Sequence, residues 1–156
     1  MFILIIIMAG HGLFQKGMFS VHDFLHTARI AEMARGIGDG QVPVIWSQNF
    51  SFGYGMPLFQ FYSPVPYFLG GLLLLATNDP ILTTKIFWVI PTLLLASGIY
   101  VLTRKLLKSP WIALAATALA VLAPYRAVQL FLRGSLAEAW AMGWYVWLLL
   151  GLLLLG

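Results

Sequence analysis

Residues 81–102 read ILTTKIFWVIPTLLLASGIYVL, and Lys85 is the only charged residue among them. An α-helix rises about 1.5 Å per residue, so this stretch is long enough to cross a bilayer core of about 30 Å. Arg104, Lys105 and Lys108 follow directly. Basic residues beside a membrane helix favour its cytoplasmic end. The stretch therefore predicts a transmembrane helix that enters from the outside and ends in the cytoplasm.

The composition supports the same class of protein. Hydrophobic residues make up 61% of the chain and charged residues only 9%, whereas a soluble domain has about 25% charged residues. The net charge of +4 is spread over several loops, so we expect no nucleic-acid partner. The chain has no cysteine, which excludes disulfides, thiolate metal sites and cysteine nucleophiles. The lipid bilayer is the partner that the composition predicts.

We expect an all-α integral membrane protein in which residues 1–156 form a single membrane domain of about four transmembrane helices. A long loop, residues 15–80, separates the first membrane segment from the others, and we expect helices parallel to the membrane within it. The predicted membrane segments are residues 1–14, 81–102, 110–125 and 137–155.

The depth of residues 65–76 decides the topology. This apolar stretch would rise only about 18 Å as a helix, which is too short for a simple span. If it is interfacial or re-entrant, the long loop is extracytoplasmic, together with the polar link at residues 126–138. If it spans, the long loop is cytoplasmic. We favour the first alternative and expect a multi-pass protein of the plasma membrane.

The first half of the long loop predicts a helix. Ser20 is a candidate N-cap, Asp23 then falls at the N3 position of a capping box, and Gly36 is a candidate C-cap. Asp23 has two interpretations that do not exclude each other. It caps the helix, or it serves as a general base or a ligand of a divalent cation, Mg²⁺ or Mn²⁺. No other cofactor is expected.

Three further polar side chains, His22, His26 and Arg29, would share one side of this helix with Asp23. Two histidines at the i, i+4 spacing are compatible with a metal site, but a third placed ligand is missing. Histidines near a membrane surface are more often solvated or hydrogen-bonded. We regard His22, His26 and Arg29 as candidate substrate-binding residues.

The second half of the loop, residues 41–64, is rich in aromatic residues, glycine and proline, which excludes a plain helix. Aromatic belts at the bilayer interface explain such enrichment in general. A shaped aromatic loop also binds lipid chains or stacks on the apolar faces of sugars. Trp46, Tyr54 and Tyr62 are the candidates for that second role.

The link before the last helix carries Arg126, Arg133 and Glu138. Ser135 precedes Glu138 by three residues, so Glu138 is either a capping-box carboxylate or a functional acid at the mouth of an apolar helix. The two arginines either clamp a phosphate or pair with Glu138.

These residues resemble those of bacterial membrane proteins that are related by name to 6-pyruvoyl-tetrahydropterin synthase. The resemblance rests on His22-Asp23, His26, Arg29, Gly40-x-x-Pro43-x-x-Trp46, Gly53-Tyr54-Gly55-x-Pro57, Phe61-Tyr62-x-Pro64-x-Pro66-Tyr67, Pro124-Tyr125-Arg126 and Arg133-Gly134-x-x-x-Glu138. Such proteins are similar in turn to the N-terminal part of the GT-C class of membrane glycosyltransferases. That class usually has eight or more spans, so the resemblance implies that this chain is a fragment.

The resemblance implies transfer of a sugar from a polyprenyl-phosphate donor to a glycan or protein acceptor on the extracytoplasmic face. Asp23 and Glu138 would then be catalytic, and Arg126 and Arg133 would hold the donor phosphate. Many GT-C enzymes have paired acids where this chain has Asp23 alone. The alternative is a non-catalytic membrane protein, such as a lipid or glycan carrier, a transporter part or an assembly subunit. A purely structural bundle, with both acids as caps, is a third hypothesis.

Overall fold

The computed structural model describes residues 1–155, and among these residues it contains helices and turns but no β-strand. One isolated antiparallel bridge joins Ser47 and Met56. The expected all-α membrane fold is confirmed. The helices in chain order are α1 Phe2–Gly10, α2 His26–Gly38, α3 Leu58–Phe61, α4 Pro64–Thr77, α5 Pro80–Leu107, α6 Pro110–Val121, α7 Pro124–Ala127 and α8 Leu136–Leu155. Short 3₁₀ turns cover His11–Phe14 and Ser51–Gly53, and a π-helical turn covers Val128–Arg133.

Two helices are long and apolar enough to cross a membrane, α5 with 28 residues and α8 with 20. A third span is formed if α6 and the segment Pro124–Arg133, which bend by 46° at their junction, are counted as one. The apolar segments Phe2–Phe14 and Pro64–Thr77 are shorter. The expected spans thus correspond to two long helices, one bent pair and a short first segment.

Local sequence signals account for the ends of these helices. The Asp79 carboxylate accepts hydrogen bonds from the backbone N–H groups of Ile81 and Leu82, both at 2.9 Å, and so caps the start of α5. Ser109 caps α6 in the same way, and Pro110 follows it at the first helical position. Helix α4 ends at Thr77, and its C-cap residue Asn78 has the left-handed conformation that asparagine tolerates.

The helix predicted to begin after Ser20 begins instead at His26, and it continues past Gly36 to Gly38. The capping box of Ser20 and Asp23 is therefore wrong. The backbone N–H groups of His22 and Asp23 donate to the carbonyls of Leu132 and Arg133, at 2.9 and 3.1 Å. These donors have partners in another segment, so they need no cap.

The chain divides into two compact units, and the boundary falls within α5. The second unit, Phe24–Phe87, contains α2 and α4, which pack closely. A Cβ atom at Gly71 would lie 2.9 Å from Met33 Cγ and 3.0 Å from the backbone nitrogen of Ala34. Small residues allow such close approach of helices in membrane proteins. Residues 65–76 thus belong to a helix that packs on α2.

The first unit contains Met1–Asp23 and the chain from Trp88 onward. Leu95, Ala96 and Val121 form one buried apolar cluster in it. Helix α8 approaches α5 at Gly143, where a Cβ atom would lie 3.0 Å from Leu94 Cβ. Trp147 Nε1 donates to the carbonyl of Leu94 at 3.0 Å, which adds a hydrogen bond to this helix contact.

Candidate functional site

The link between α7 and α8 holds an ion pair. Arg133 Nη1 lies 3.1 Å from Glu138 Oε2 and donates to the Tyr125 hydroxyl at 3.3 Å. The Tyr125 hydroxyl in turn donates to Glu138 Oε1. Both carboxylate oxygens of Glu138 therefore have partners. We call Tyr125, Arg133 and Glu138 the Glu138 cluster. Its carboxylate binds side chains, which is a different role from the predicted capping box.

The segment that carries Asp23 adjoins this cluster. The Asp23 backbone N–H donates to the carbonyl of Arg133, as described above. Gly134 has a φ of +71°, and a Cβ atom there would lie 2.7 Å from Val21 Cγ2 and 3.0 Å from the Asp23 carbonyl oxygen. Only glycine meets both requirements without strain. The two predicted acids thus lie on segments that the backbone holds together.

Arg126 has a different environment from Arg133. It is 2% exposed, and its guanidinium donates to Gln129 and, at 3.3 Å, to Thr92 Oγ1. Both acceptors are neutral. Its Nε is buried and has no hydrogen-bond partner. Of the two interpretations of the arginines, pairing with Glu138 therefore holds for Arg133, whereas no carboxylate bonds to Arg126 within residues 1–155.

The two histidines of the first loop do not share a helix face, because α2 begins only at His26. His22 is exposed and lies before the helix. His26 is buried, and its Nδ1 lies 2.8 Å from the Tyr67 hydroxyl. Among residues 1–155, no three or more His, Asp or Glu side chains are grouped so that they could hold a metal ion.

The second unit brings together other predicted site residues. The guanidinium carbon of Arg29 lies 4.1 Å from the centre of the Tyr62 ring, which is a cation–π contact. Tyr62 also packs edge-on against Tyr67, with ring centres 5.8 Å apart. His26 and Tyr62 thus both contact the buried Tyr67, and Arg29 contacts Tyr62. These four side chains, with Tyr67 at the centre, form a polar and aromatic cluster within the second unit.

Trp46 and Tyr54 both lie in the aromatic loop, but their side chains differ in exposure and in their contacts. A Cβ atom at Gly55 would lie 2.4 Å from Trp46 Nε1, so the indole packs directly on the glycine backbone. Tyr54 is 88% exposed. Tyr54 is available to a ligand or to lipid, while Trp46, which is 45% exposed, packs its indole on Gly55.

Sequence reasoning missed two structural partners. Tyr125 was recognised within a motif, but its hydroxyl role depends on the bend between α6 and α7. Glu32 is 6% exposed, and it accepts hydrogen bonds from Asn49 and Arg35, which ties the aromatic loop to α2. A charged residue among alanines on the inner face of a short helix was the available signal.

Comparison with known proteins identifies a family for the part of the chain that begins at residue 59. Residues 59–155 match a family described as the 6-pyruvoyl-tetrahydropterin synthase related domain, a membrane protein. The match includes Arg126, Arg133 and Glu138, whereas Asp23 lies before it. No curated protein and no solved structure matches the chain. The chain therefore belongs to the 6-pyruvoyl-tetrahydropterin synthase related family of membrane proteins.

Proposed function

We propose that the protein is a membrane glycosyltransferase of the GT-C type, which moves a sugar from a polyprenyl-phosphate donor to a glycan or protein acceptor. The observation that supports this proposal is the pair of backbone hydrogen bonds from His22 and Asp23 to Leu132 and Arg133. They hold a carboxylate segment beside an arginine and a second carboxylate, Glu138. Such a combination suits a reaction in which a hydroxyl loses a proton and a phosphate leaves.

In the proposed step, the acceptor hydroxyl oxygen attacks the anomeric carbon of the sugar. The bond between that carbon and the phosphate oxygen breaks, and polyprenyl phosphate leaves with both electrons of the bond. Asp23 takes the hydroxyl proton. A divalent cation, Mg²⁺ or Mn²⁺, would have Asp23 as one of its ligands and would supply positive charge for the leaving phosphate. Glu138 orients Arg133 through their ion pair, and Arg133 offsets the negative charge of the leaving phosphate.

The remaining candidate residues are proposed as substrate contacts within their own units. His22 is exposed near Asp23, and Tyr54 offers an exposed ring for stacking on a sugar. His26, Arg29 and Tyr62 would contribute through the polar and aromatic cluster that they form with Tyr67. Trp46 would support the aromatic loop. Transfer from a polyprenyl carrier takes place outside the cytoplasm, so the proposal requires both polar loops on the extracytoplasmic face of the plasma membrane.

A non-catalytic membrane protein is the second candidate, and one observation favours it. Both oxygens of Glu138 are engaged by Tyr125 and Arg133, as expected of a structural carboxylate. In a carrier or an assembly subunit, the Glu138 cluster would serve only to fix the start of α8 against Tyr125 and Arg133.

The decisive experiment uses the purified chain in proteoliposomes with a radiolabelled polyprenyl-phosphate hexose as the donor. Release of polyprenyl phosphate and appearance of label on an acceptor glycan are measured together. We expect the Asp23→Asn variant to lose about 10²- to 10⁴-fold in rate, the usual contribution of a positioned acid or base. Asp39→Asn, an exposed aspartate of the second unit, is the matched control and should transfer at the wild-type rate. Equal rates for Asp23→Asn and wild type would refute the catalytic role of Asp23.

A further inference from the structure

An apolar pocket of the second unit lies where α4 and the start of the aromatic loop meet α2. Its volume is about 300 Å³, at the lower end of the range of about 300–1,000 Å³ that is usual for small-molecule sites. Every side chain that lines it is hydrocarbon, apart from the thioether of Met33. We call this space the Met33 pocket. Its lining includes Met33 from α2, residues 42–44 from the loop, and Val65, Phe68 and Leu69 from α4.

The pocket has a buried base and an exposed rim. Met33 is 1% exposed and Val44 is 4% exposed, so both side chains lie beneath the molecular surface. Val42 and Val65 are 75% and 64% exposed and form part of the rim. Apolar surface that is contiguous and open in this way is typical of a binding site for lipid or for an apolar ligand.

The distribution of charge indicates which medium the rim faces. Residues 41–78 contain no Asp, Glu, Lys, Arg or His. A second groove of the same unit is lined by Glu32 and Arg35 of α2 and by Asn49 of the loop. We call it the charged groove. The unit thus has an uncharged pocket and a charged groove on different faces of α2. Hydrocarbon suits the first, whereas the second requires water.

We propose that the Met33 pocket binds one acyl chain of a bilayer phospholipid. A hydrocarbon chain has no hydrogen-bond donor or acceptor, so apolar walls leave none of its groups unsatisfied. An extended protein segment would bring backbone N–H and C=O groups that these side chains cannot pair. A helix is about 10–12 Å across with its side chains and needs a wider groove.

This binding is independent of sugar transfer, and it bears on the depth of α4. Val65, Phe68 and Leu69 line the pocket from the first half of that helix. An acyl chain in the pocket therefore brings the first half of α4 into contact with the hydrocarbon of the bilayer. The charged groove of the same unit stays in water.

The first experiment photo-crosslinks the purified chain in vesicles of phosphatidylcholine and phosphatidylglycerol, a fraction of which carries a diazirine on the acyl chain. Mass spectrometry of the peptides locates the label. We expect label on Met33 or Val44, because a chain that stays at the molecular surface cannot reach these buried side chains. The same phospholipid with its diazirine on the headgroup should not label them. Label confined to exposed residues, with Met33 and Val44 unmodified, would overturn the proposal.

A variant at the rim assigns the label to this pocket. Val65→Trp places an indole at the entrance and should lower the label on Met33 and Val44 about tenfold, which corresponds to about 1.4 kcal/mol in affinity. Ala28→Trp is the matched control, at an exposed residue of the charged groove, and should keep the wild-type label. Equal label in the two variants would contradict entry through this rim.

The second experiment measures which face of the unit contacts lipid. Because the chain has no cysteine, single cysteines at Val42, Val65, Ala28 or Ser51 can carry a nitrobenzoxadiazole fluorophore. Nitroxide groups midway along the acyl chains of the vesicle quench fluorophores that lie in the hydrocarbon. Quenching should be at least about twofold stronger at residues 42 and 65 than at residues 28 and 51, as for an interfacial element buried by about 5–10 Å. Quenching that is equal, or stronger at residues 28 and 51, would refute the proposed orientation.

Competition separates the phospholipid from other occupants. Unlabelled phosphatidylglycerol should displace the photoactivatable phospholipid from Met33 at least as well as polyprenyl phosphate does. Displacement by polyprenyl phosphate at a lower concentration would overturn the assignment to a phospholipid. A second copy of the chain is the other occupant to test. Disulfide formation between two Val65→Cys chains, with no label on Met33 in the wild type, would replace the lipid by a dimer contact.

Discussion

Arg133 and Glu138 form an ion pair at the mouth of α8, with 3.1 Å between Arg133 Nη1 and Glu138 Oε2. The two side chains are 46% and 35% exposed, so water screens their attraction. An exposed pair of this kind contributes about 0–1 kcal/mol to stability. The pair therefore contributes little to stability, and the proposed function assigns it a positioning role.

The first prediction follows from that contrast. Arg133→Gln should lower the free energy of unfolding by no more than about 1 kcal/mol. It should lower sugar transfer at least tenfold, because the charge opposite the leaving phosphate is lost. Thermal unfolding in detergent and the proteoliposome assay measure the two effects. A large loss of stability with normal transfer per folded molecule would show that the pair is structural, and Arg35→Gln, another exposed arginine in an ion pair, is the control.

The second prediction concerns Gly134, which joins the Asp23 segment to the Glu138 cluster. Gly134→Ala should destabilise the protein by about 1–3 kcal/mol, because its φ of +71° and its contact with Val21 both oppose a side chain. It should also reduce transfer, since Asp23 must move. Gly38→Ala, with no atom near its Cβ position, should be neutral or slightly stabilising. Equal melting temperatures for the two variants would contradict this account of the link.

The third prediction tests the contact between α2 and α4. Gly71→Ala places a Cβ atom 2.9 Å from Met33 Cγ and 3.0 Å from the backbone of Ala34, and backbone cannot yield as a side chain does. We expect a loss of about 1–3 kcal/mol, as for overpacked cores. The matched control is Gly151→Ala in α8, where no atom lies within 4 Å of the Cβ position. Differential scanning fluorimetry compares the two, and a stable Gly71→Ala variant would argue against this packing.

The fourth prediction concerns the side of the membrane. The chain has no cysteine, so single cysteines can be labelled in intact cells with an impermeant thiol reagent. Gln60→Cys and Ser135→Cys should label from outside, whereas Lys105→Cys should label only after lysis. Gln60 is exposed and therefore accessible to the reagent. Labelling of Lys105→Cys with Gln60→Cys protected would reverse the topology and remove the basis for a polyprenyl donor.

The sequence by itself determined the class of the protein, an all-α membrane protein. A long apolar run with a single charged residue favours a membrane because a soluble core of this size could not cover it, and that property is independent of tertiary contacts. The caps at Asp79 and Ser109 are local as well, since each side chain bonds to a backbone group two or three residues away. Composition was sufficient to predict the class. The two caps were not predicted, although their signals are local.

Only the tertiary structure decided which polar groups meet. The start of α2 moved to His26 because the donors of His22 and Asp23 bond to a segment more than a hundred residues further along the chain. Arg126 and Arg133 both lie in the link before the last helix, and no local pattern distinguishes them. Yet Arg133 pairs with Glu138, whereas Arg126 is buried against neutral groups. Hydrogen bonds and ion pairs depend on distances of about 3 Å between remote segments, and no local pattern encodes such distances.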